Sequence, residues 1–224
     1  KFKYCIFNYI QMILENLKKV LNNIPSHVTL VAVSKTKPNT LIMEAYQAGQ
    51  RVFGENKVQE MVDKANKLPT DIQWHMIGHL QRNKVKYIAP FVSLIHGIDS
   101  LKLLKEVDKR AAQNHRIIDC LLQVHIAKEQ SKFGFNSQEI EYVLAHIHSL
   151  KYVRVIGLMG MATNTTDKAL VKQEFNGLNK LYTSLKAKHP DFKTISMGMS
   201  GDYLLAISEG STMVRIGSSI FGSR

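Results

Sequence analysis

Cysteine is scarce in this sequence of 224 residues, which has only Cys5 and Cys120. Two cysteines this far apart make neither a disulfide framework nor the paired spacing of a zinc site. Cys120 stands in an apolar run with Leu121 and Leu122, where a buried thiol is the expected environment. A chain of this length can bury a full core without disulfide bonds or a structural metal.

Long hydrophobic runs are also missing, and the longest apolar pieces have the length of strands, as at residues 28–33. Because a membrane helix needs roughly 20 consecutive apolar residues, no membrane-spanning segment is expected. The N-terminal stretch carries Lys1 and Lys3 and has some signal-peptide character, but Asn8 and Gln11 interrupt it and no small-residue cleavage site follows. A cytoplasmic protein is therefore expected.

No Gly-, Ser- or Pro-rich linker divides the sequence, so residues 1–224 are expected to form a single domain. The net charge of +12 could attract nucleic acid, but the lysines are scattered and form no arginine-rich block. This distribution favours a solvated basic surface, which would also attract a small phosphorylated ligand. The charge by itself would suggest an RNA-binding module, but the sequence contains no RNA-recognition motif.

Short β-branched runs alternate with helical patterns along the chain, which is typical of β/α units around a parallel sheet. An amphipathic helix comes before them, with apolar residues at Phe7, Ile10, Ile13, Leu14, Leu17 and Leu21. Eight strand candidates follow, at residues 28–33, 51–54, 73–77, 92–96, 118–126, 153–158, 194–197 and 213–216. The pattern predicts an α/β fold, a closed (β/α)8 TIM barrel with an extra N-terminal helix, and an open doubly wound sheet is the alternative.

Lys35 directly follows the first strand candidate, at the rim where a barrel carries its chemistry. A partly desolvated lysine there can attack an aldehyde, although position by itself favours an ordinary surface lysine. The segments Ser196-Met197-Gly198-Met199-Ser200-Gly201-Asp202 and Arg215-Ile216-Gly217-Ser218-Ser219 follow the last two strands, where barrels commonly bind phosphate. Together these features suggest an aldehyde-bearing phosphate cofactor, and pyridoxal 5′-phosphate is the obvious candidate.

Several longer motifs point the same way, and they cover nearly the whole chain. They are Leu30-Val31-Ala32-Val33-Ser34-Lys35-Thr36-Lys37-Pro38, Phe53-Gly54-Glu55-Asn56, Trp74-His75-Met76-Ile77-Gly78-His79-Leu80-Gln81, Ser131-Lys132-Phe133-Gly134-Phe135, Ser196-Met197-Gly198-Met199-Ser200 and Gly210-Ser211-Thr212-Met213-Val214-Arg215-Ile216-Gly217. In this order they resemble the pyridoxal phosphate homeostasis proteins, a family related to the N-terminal barrel domain of alanine racemases.

The resemblance implies that Lys35 holds pyridoxal 5′-phosphate as a Schiff base in a type III pyridoxal-phosphate barrel. It also implies that Ser200, Gly217 and Ser218 hold the phosphate. Ser218 stands where the family more often has threonine, and the hydroxyl is retained.

By the same resemblance, Arg215 faces the pyridine nitrogen, and Asn56 and His75 line the pocket. A permanent cation beside that nitrogen disfavours its protonation, which weakens the ring as an electron sink. His125 stands where relatives commonly have a smaller polar residue, so the resemblance does not assign the wall of the pocket at the fifth strand.

The function implied is a cofactor-binding protein that contributes to intracellular pyridoxal phosphate homeostasis and has no catalytic residues. Pyridoxal-phosphate-dependent apo-enzymes are the candidate recipients, and a monomer is expected, with neither nucleic acid nor membrane as partner. The alternative is an amino-acid racemase or decarboxylase of the same barrel type. Racemases take a tyrosine from a second domain, which is not expected here after Arg224. His75 and His79 have the spacing of a helical zinc pair, but the segment is predicted as strand then loop, so no metal is expected.

Overall fold

The structure, a computed structural model, describes residues 2–129 and 133–223, of which residues 2–11 are described by their backbone only. The side chains of Cys5, Phe7 and Ile10 and the whole of Ser131 and Lys132, which the sequence predictions used, lie outside the described part. Within the described residues, no helix combines the length and apolar character that crossing a bilayer requires.

Eight parallel strands close into a barrel in which each strand pairs with the next and the last pairs with the first. They are β1 (Thr29–Val33), β2 (Val52–Glu55), β3 (Gln73–Met76), β4 (Leu94–Ile98), β5 (Ile118–Val124), β6 (Val153–Gly160), β7 (Thr194–Met199) and β8 (Met213–Ile216). The predicted (β/α)8 barrel is confirmed, and the pairing of β1 with β8 excludes the open sheet. The fourth strand begins two residues later than predicted, because the Val92 N–H donates to the Ile88 carbonyl at 2.8 Å and so completes the preceding helical turn.

Helices cover the outside of the barrel. They are α1 (Phe2–Asn22), α2 (Asn39–Gln47), α3 (Val58–Ala65), α4 (Val85–Ile88), α5 (Leu101–Gln113), α6 (Ser137–His146), α7 (Lys168–Lys186), α8 (Tyr203–Ser208) and α9 (Ser218–Phe221). The predicted N-terminal helix packs on α2 and α9, where Asn16 Nδ2 donates to the Ile220 carbonyl at 3.1 Å. Helix α6 begins with a capping box between Asn136 and Glu139, which gives partners to two backbone amides at its start.

Side chains alternate along each strand between the barrel interior and the layer under the helices. In β1, Leu30 and Ala32 belong to the outer core, whereas Val31 belongs to a smaller cluster. That cluster joins residues of five strands, which can meet only inside the barrel: Val31, Leu94, Leu121, Ile156, Met159 and Met213. Cys120 lies in the outer core, and burial raises the pKa of its thiol, so the predicted buried environment is confirmed.

The carboxyl-terminal end of β1 is held by a buried lysine of α3. Lys64 Nζ donates to the Ser34 carbonyl at 2.8 Å, to Glu55 Oε1 at 2.8 Å and to Glu60 Oε1 at 2.6 Å. The Ser34 hydroxyl donates to Glu55 Oε1 at 2.5 Å. Burial raises the pKa of the Glu55 carboxyl, and the hydrogen bonds from Lys64 and Ser34 act against that shift.

Thr36 has a left-handed backbone conformation with φ of 64°, which is costly for a residue with a Cβ, by roughly 1–2 kcal/mol. Its N–H donates to Glu60 Oε1 at 2.5 Å, and Glu60 is itself paired with Lys64. The backbone on both sides of Lys35 is therefore fixed by one charged network between β1, β2 and α3.

Replacing Lys64 by methionine should destabilise the fold by about 3–5 kcal/mol at about pH 8, because it leaves the Glu55 carboxylate buried without its cation. The pKa of Glu55 in the folded state then rises further above its value in the unfolded state. Such a shift costs stability once the pH exceeds the unfolded-state pKa, and it costs nothing at a pH where the carboxyl is protonated in both states. We therefore expect the loss to shrink as the pH falls toward about 5, which urea unfolding at a series of pH values measures.

Lys67→Met is the matched control, since Lys67 is exposed two residues after the end of the same helix. The double variant Lys64→Met/Glu55→Gln should recover part of the loss, because it also removes the stranded charge. A Lys64→Met variant that is no less stable than Lys67→Met would contradict the role of this network.

Candidate functional site

A cavity of about 410 Å³ opens at the carboxyl-terminal rim of the barrel. It is lined by Val33, Lys35, Thr36, Lys37, Asn56, Ile77, Met161, Met199, Ser200, Gly201, Arg215, Gly217, Ser218 and Gly222. Six of the seven residues predicted from the sequence are in this lining, namely Lys35, Asn56, Ser200, Arg215, Gly217 and Ser218. The seventh, His75, is buried elsewhere in the barrel. A mostly apolar groove of about 950 Å³ adjoins the cavity and shares Met161, Met199, Ser200 and Gly201 with it.

Two lysines of the β1–α2 loop line the cavity, and they differ in what they do. Lys37 Nζ donates to the carbonyls of Phe221, Gly222 and Ser223 at 2.9–3.2 Å and so holds the segment after α9. These three contacts use all the hydrogen-bond donors that a lysine side chain offers. Lys35 is placed at the end of β1, within the backbone that the Lys64 network fixes.

The loops after β7 and β8 form a cup of small residues on one side of the cavity. Gly198 turns β7 with φ of +96°, and a Cβ there would lie 2.6 Å from the Ala206 Cβ. Ser200 Oγ accepts from the Gly217 N–H at 3.2 Å, which joins the two loops. A Cβ on Gly217 would lie 3.2 Å from the Val33 carbonyl oxygen, so the close approach of β8 to β1 favours glycine.

Ser218 begins α9, and the first amides of a helix have no acceptor within the helix. The Gly217 N–H already donates to Ser200, so the cup offers the hydroxyls of Ser200 and Ser218 and the amides at the start of α9, which are donors of the kind that bind a phosphate.

Arg215 lies at the floor of the cavity and is 4% exposed. It points inward from β8, because it follows the interior residue Met213 by two positions. Its Nη1 donates to the Ser196 carbonyl at 2.9 Å and to Ser196 Oγ at 2.6 Å, and its Nη2 donates to the Gly160 carbonyl at 3.0 Å. Burial lowers its pKa to about 10, so it remains a cation at neutral pH.

His75 was expected to line the pocket, but the structure places its ring against His96. His96 Nε2 and His75 Nδ1 are 3.1 Å apart, and His96 Nδ1 lies 3.1 Å from Ser196 Oγ. Burial lowers the pKa of His75 to about 3 and that of His96 well below its usual value, so both rings are neutral. Sequence reasoning assigned no role to His96, and it assigned Ser196 only a place in the predicted phosphate-binding segment; the one signal for their contact was a polar residue at an inward-facing strand position.

The other histidines that the sequence singled out have partners outside the cavity. His79 Nδ1 lies 3.0 Å from Asp99 Oδ2, and its ring stacks on Phe133. His125 Nε2 donates to the Ala127 carbonyl at 2.8 Å, so this side chain turns back on its own loop. Among residues 2–129 and 133–223, no group of three or more His, Cys, Asp or Glu side chains could hold a metal ion.

The electrostatics of the lining are one-sided. Lys35, Lys37 and Arg215 contribute basic side chains, and no carboxylate belongs to the described lining. A cleft of this sign concentrates small anions. With its small-residue cup, the cavity is suited to a small phosphate-bearing molecule, and Lys35 brings an amine to the cavity.

Comparisons with known proteins give the chain a family. Residues 10–224 match the family model described as alanine racemase, N-terminal domain. A pyridoxal phosphate homeostasis protein of Vibrio alginolyticus is 42% identical over 205 residues, which are 89% of this chain and 88% of the relative. The protein of the same name from Escherichia coli strain K12 is 38% identical over 89% of this chain and 87% of its own.

Solved structures agree with this assignment. PipY of Synechococcus elongatus PCC7942, in the structure with PLP bound, is 35% identical and superposes with a TM-score of 0.86 over 94% of this chain and 100% of its own. An alanine racemase from Clostridium difficile 630 is 12% identical with a TM-score of 0.77, and this chain covers 60% of it, so that likeness concerns the fold. The resemblance inferred from the motifs is thereby confirmed: the chain belongs to the pyridoxal phosphate homeostasis protein family, within the wider family of the alanine racemase N-terminal domain.

Proposed function

We propose that this protein binds pyridoxal 5′-phosphate as a Schiff base on Lys35 and contributes to its intracellular homeostasis. The observation that carries the proposal is the cationic cavity, which brings Lys35 from β1 together with Arg215 and the small-residue cup from β7 and β8. The names of the relatives and the PLP-bound PipY structure support it.

The residues present fit this cofactor. Ser200, Gly217 and Ser218 would hold the phosphate, and Arg215 would meet the ring nitrogen at the opposite end of the cavity. Val33, Ile77 and Met161 supply apolar walls for a planar ring. When bound, the cofactor supplies an aldehyde that condenses with primary amines.

Lys35 is the better candidate for the amine than Lys37. Lys37 Nζ already donates to three carbonyls at and after the end of α9, and a covalent bond to an aldehyde there would break those contacts. Lys35 is held in place through its backbone, by Ser34 on one side and Thr36 on the other.

The composition of the cavity lining supports a non-catalytic role. Racemisation needs two positioned groups, one to remove a proton from one face and one to return it to the other. Among the described lining residues none is a histidine, tyrosine or carboxylate, so Lys35 has no evident counterpart there. Arg215 beside the ring nitrogen would also keep that nitrogen unprotonated.

An amino-acid racemase or decarboxylase is the second candidate, and the match to the alanine racemase N-terminal domain favours it. We further propose a single domain over residues 1–224, since strands from both ends of the sequence close one barrel. Delivery to pyridoxal-phosphate-dependent apo-enzymes, a cytoplasmic location and a monomeric state stay predictions.

Borohydride reduction of the protein loaded with pyridoxal 5′-phosphate should trap the cofactor on Lys35. Peptide mapping locates the label, and the absorption spectrum before and after reduction reports the linkage. Lys35→Ala should abolish both signals and leave the fold intact, since a rim amine contributes little packing. Lys86→Ala is a control on the exposed surface. A label on Lys37 would show that the site is assigned to the wrong residue.

Replacing Ser200 and Ser218 together by alanine should weaken cofactor binding while the backbone amides of the cup remain. Each hydroxyl lost is a hydrogen bond to a charged acceptor, worth about 1.5–3 kcal/mol. Equilibrium titration followed by absorption measures the dissociation constant. If the double variant binds as tightly as the unchanged protein, the phosphate does not occupy this cup.

Incubation of the loaded protein with L-alanine and other L-amino acids should yield neither D-enantiomer nor decarboxylated amine at an enzymatic rate. The reason is that the described lining of the cavity contains no second proton-transfer group and that Arg215 would lie at the ring nitrogen. Chiral chromatography and amine analysis provide the assay, with Lys35→Ala as the control for contaminating enzymes. Repeated turnover at roughly 1 per second or faster, absent from Lys35→Ala, would establish the racemase or decarboxylase instead.

A further inference from the structure

A continuous chain of hydrogen bonds runs under the cavity floor through four buried side chains of four strands: Arg215 of β8, Ser196 of β7, His96 of β4 and His75 of β3. The links are 2.6 Å from Arg215 Nη1 to Ser196 Oγ, 3.1 Å from Ser196 Oγ to His96 Nδ1 and 3.1 Å from His96 Nε2 to His75 Nδ1. None of the four residues is more than 5% exposed.

One choice of tautomer gives every link of this chain one donor and one acceptor. A guanidinium can only donate, so Ser196 Oγ accepts from Arg215. With His96 protonated on Nε2, the Ser196 hydroxyl donates to His96 Nδ1, and His96 Nε2 donates to His75 Nδ1. Both ring nitrogens of His96 then have a partner.

Arg215 is stabilised in an uncommon way for a buried cation. Buried charges are usually paired with an opposite charge. In the part of the chain that the structure describes, the guanidinium instead meets two carbonyls and the Ser196 hydroxyl, and it forms no ion pair. Its hydrogen-bond partners are neutral, and the Asp202 carboxylate acts on it without forming an ion pair, so part of the positive field still reaches the cavity.

We propose that His96, acting through Ser196, is a positioning residue that holds the Arg215 guanidinium toward the ring nitrogen of the bound cofactor. The inference rests on the proposed function, because it concerns the same site. A hydroxyl that donates to an imidazole is a stronger acceptor for the guanidinium, since linked hydrogen bonds polarise one another. Without His96 the Ser196 hydroxyl is free to rotate, and Arg215 Nη1 loses a fixed acceptor.

Two substitutions at residue 96 separate its two ring nitrogens. In His96→Asn, the side-chain oxygen takes the place of Nδ1 and can still accept from Ser196. In His96→Gln, the amide lies near Nε2 and can reach His75, but the acceptor for Ser196 is lost. Both variants remove the imidazole and leave a neutral amide, so they are matched in charge and similar in volume. Ser196→Ala removes the hydroxyl itself.

The direct readout is the nitrogen-15 chemical shift of pyridoxal 5′-phosphate labelled at the ring nitrogen and bound to each variant. We expect the shift in His96→Gln and Ser196→Ala to move away from that of the unchanged protein, and His96→Asn to restore it in large part. We also expect the dissociation constant of the cofactor to rise about tenfold or more in the first two variants, as for the loss of a hydrogen bond to a charged group. A purely structural role for His96 would lower stability without this difference between Asn and Gln.

Identical ring-nitrogen shifts in all variants would overturn the proposal, and so would equal shifts in His96→Asn and His96→Gln. If the residue 96 variants do not fold, as judged by circular dichroism, Ser196→Ala decides by the same shift. Failure of the unchanged protein to form the borohydride-trapped link to Lys35 would instead refute the proposed function, so the two ideas fail separately.

Discussion

The closed ring of parallel strands is the constraint on which the rest of this molecule depends. Because all eight strands run in one direction, their carboxyl ends meet at one rim, and residues distant in sequence become neighbours there. Strand alternation then decides which side chains enter the interior. In β8 it sends Val214 and Ile216 to the outer core and Arg215 inward. The alternation of side chains along β8 thus places the Arg215 guanidinium under the cavity, where β1, β6 and β7 surround it.

Much of the fold could be predicted from sequence because each unit carries a local signal. Ser100 caps α5 and Asn136 caps α6, and both were readable as helix starts. The errors fall where tertiary contacts end an element. The fifth strand stops at Val124 rather than at residue 126, because the His125 N–H donates to the Phe135 carbonyl of the following loop. The short helix α4 was not predicted, since four residues are too few to show a period.

The candidate site divides in the same way. Lys35, Ser200, Arg215, Gly217 and Ser218 stand at strand ends with recognisable neighbours, so the sequence placed them at one rim, and the cavity brings them together. The supporting groups were not visible. Lys64 looks like one of many helix lysines, and only the structure shows its ammonium buried between Ser34 and Glu55. His96 and Ser196 are 100 residues apart, and no local pattern relates their side chains. Contacts of this kind depend on the packing of whole strands, which single-residue propensities do not encode.

Lys37 gives the site a mechanical property. Helix α9 starts in the small-residue cup, and the three carbonyls that follow or end it are held by Lys37, two positions after Lys35. Lys37 thus links the β1–α2 loop, which also carries Lys35, to the end of the helix that begins in the small-residue cup. A ligand that bridges them would raise the free energy of local opening in both segments at once, since binding to the closed form stabilises every contact that opening breaks. Amide hydrogen exchange at residues 217–223 would then slow when the cavity is occupied, although only some of these residues line it.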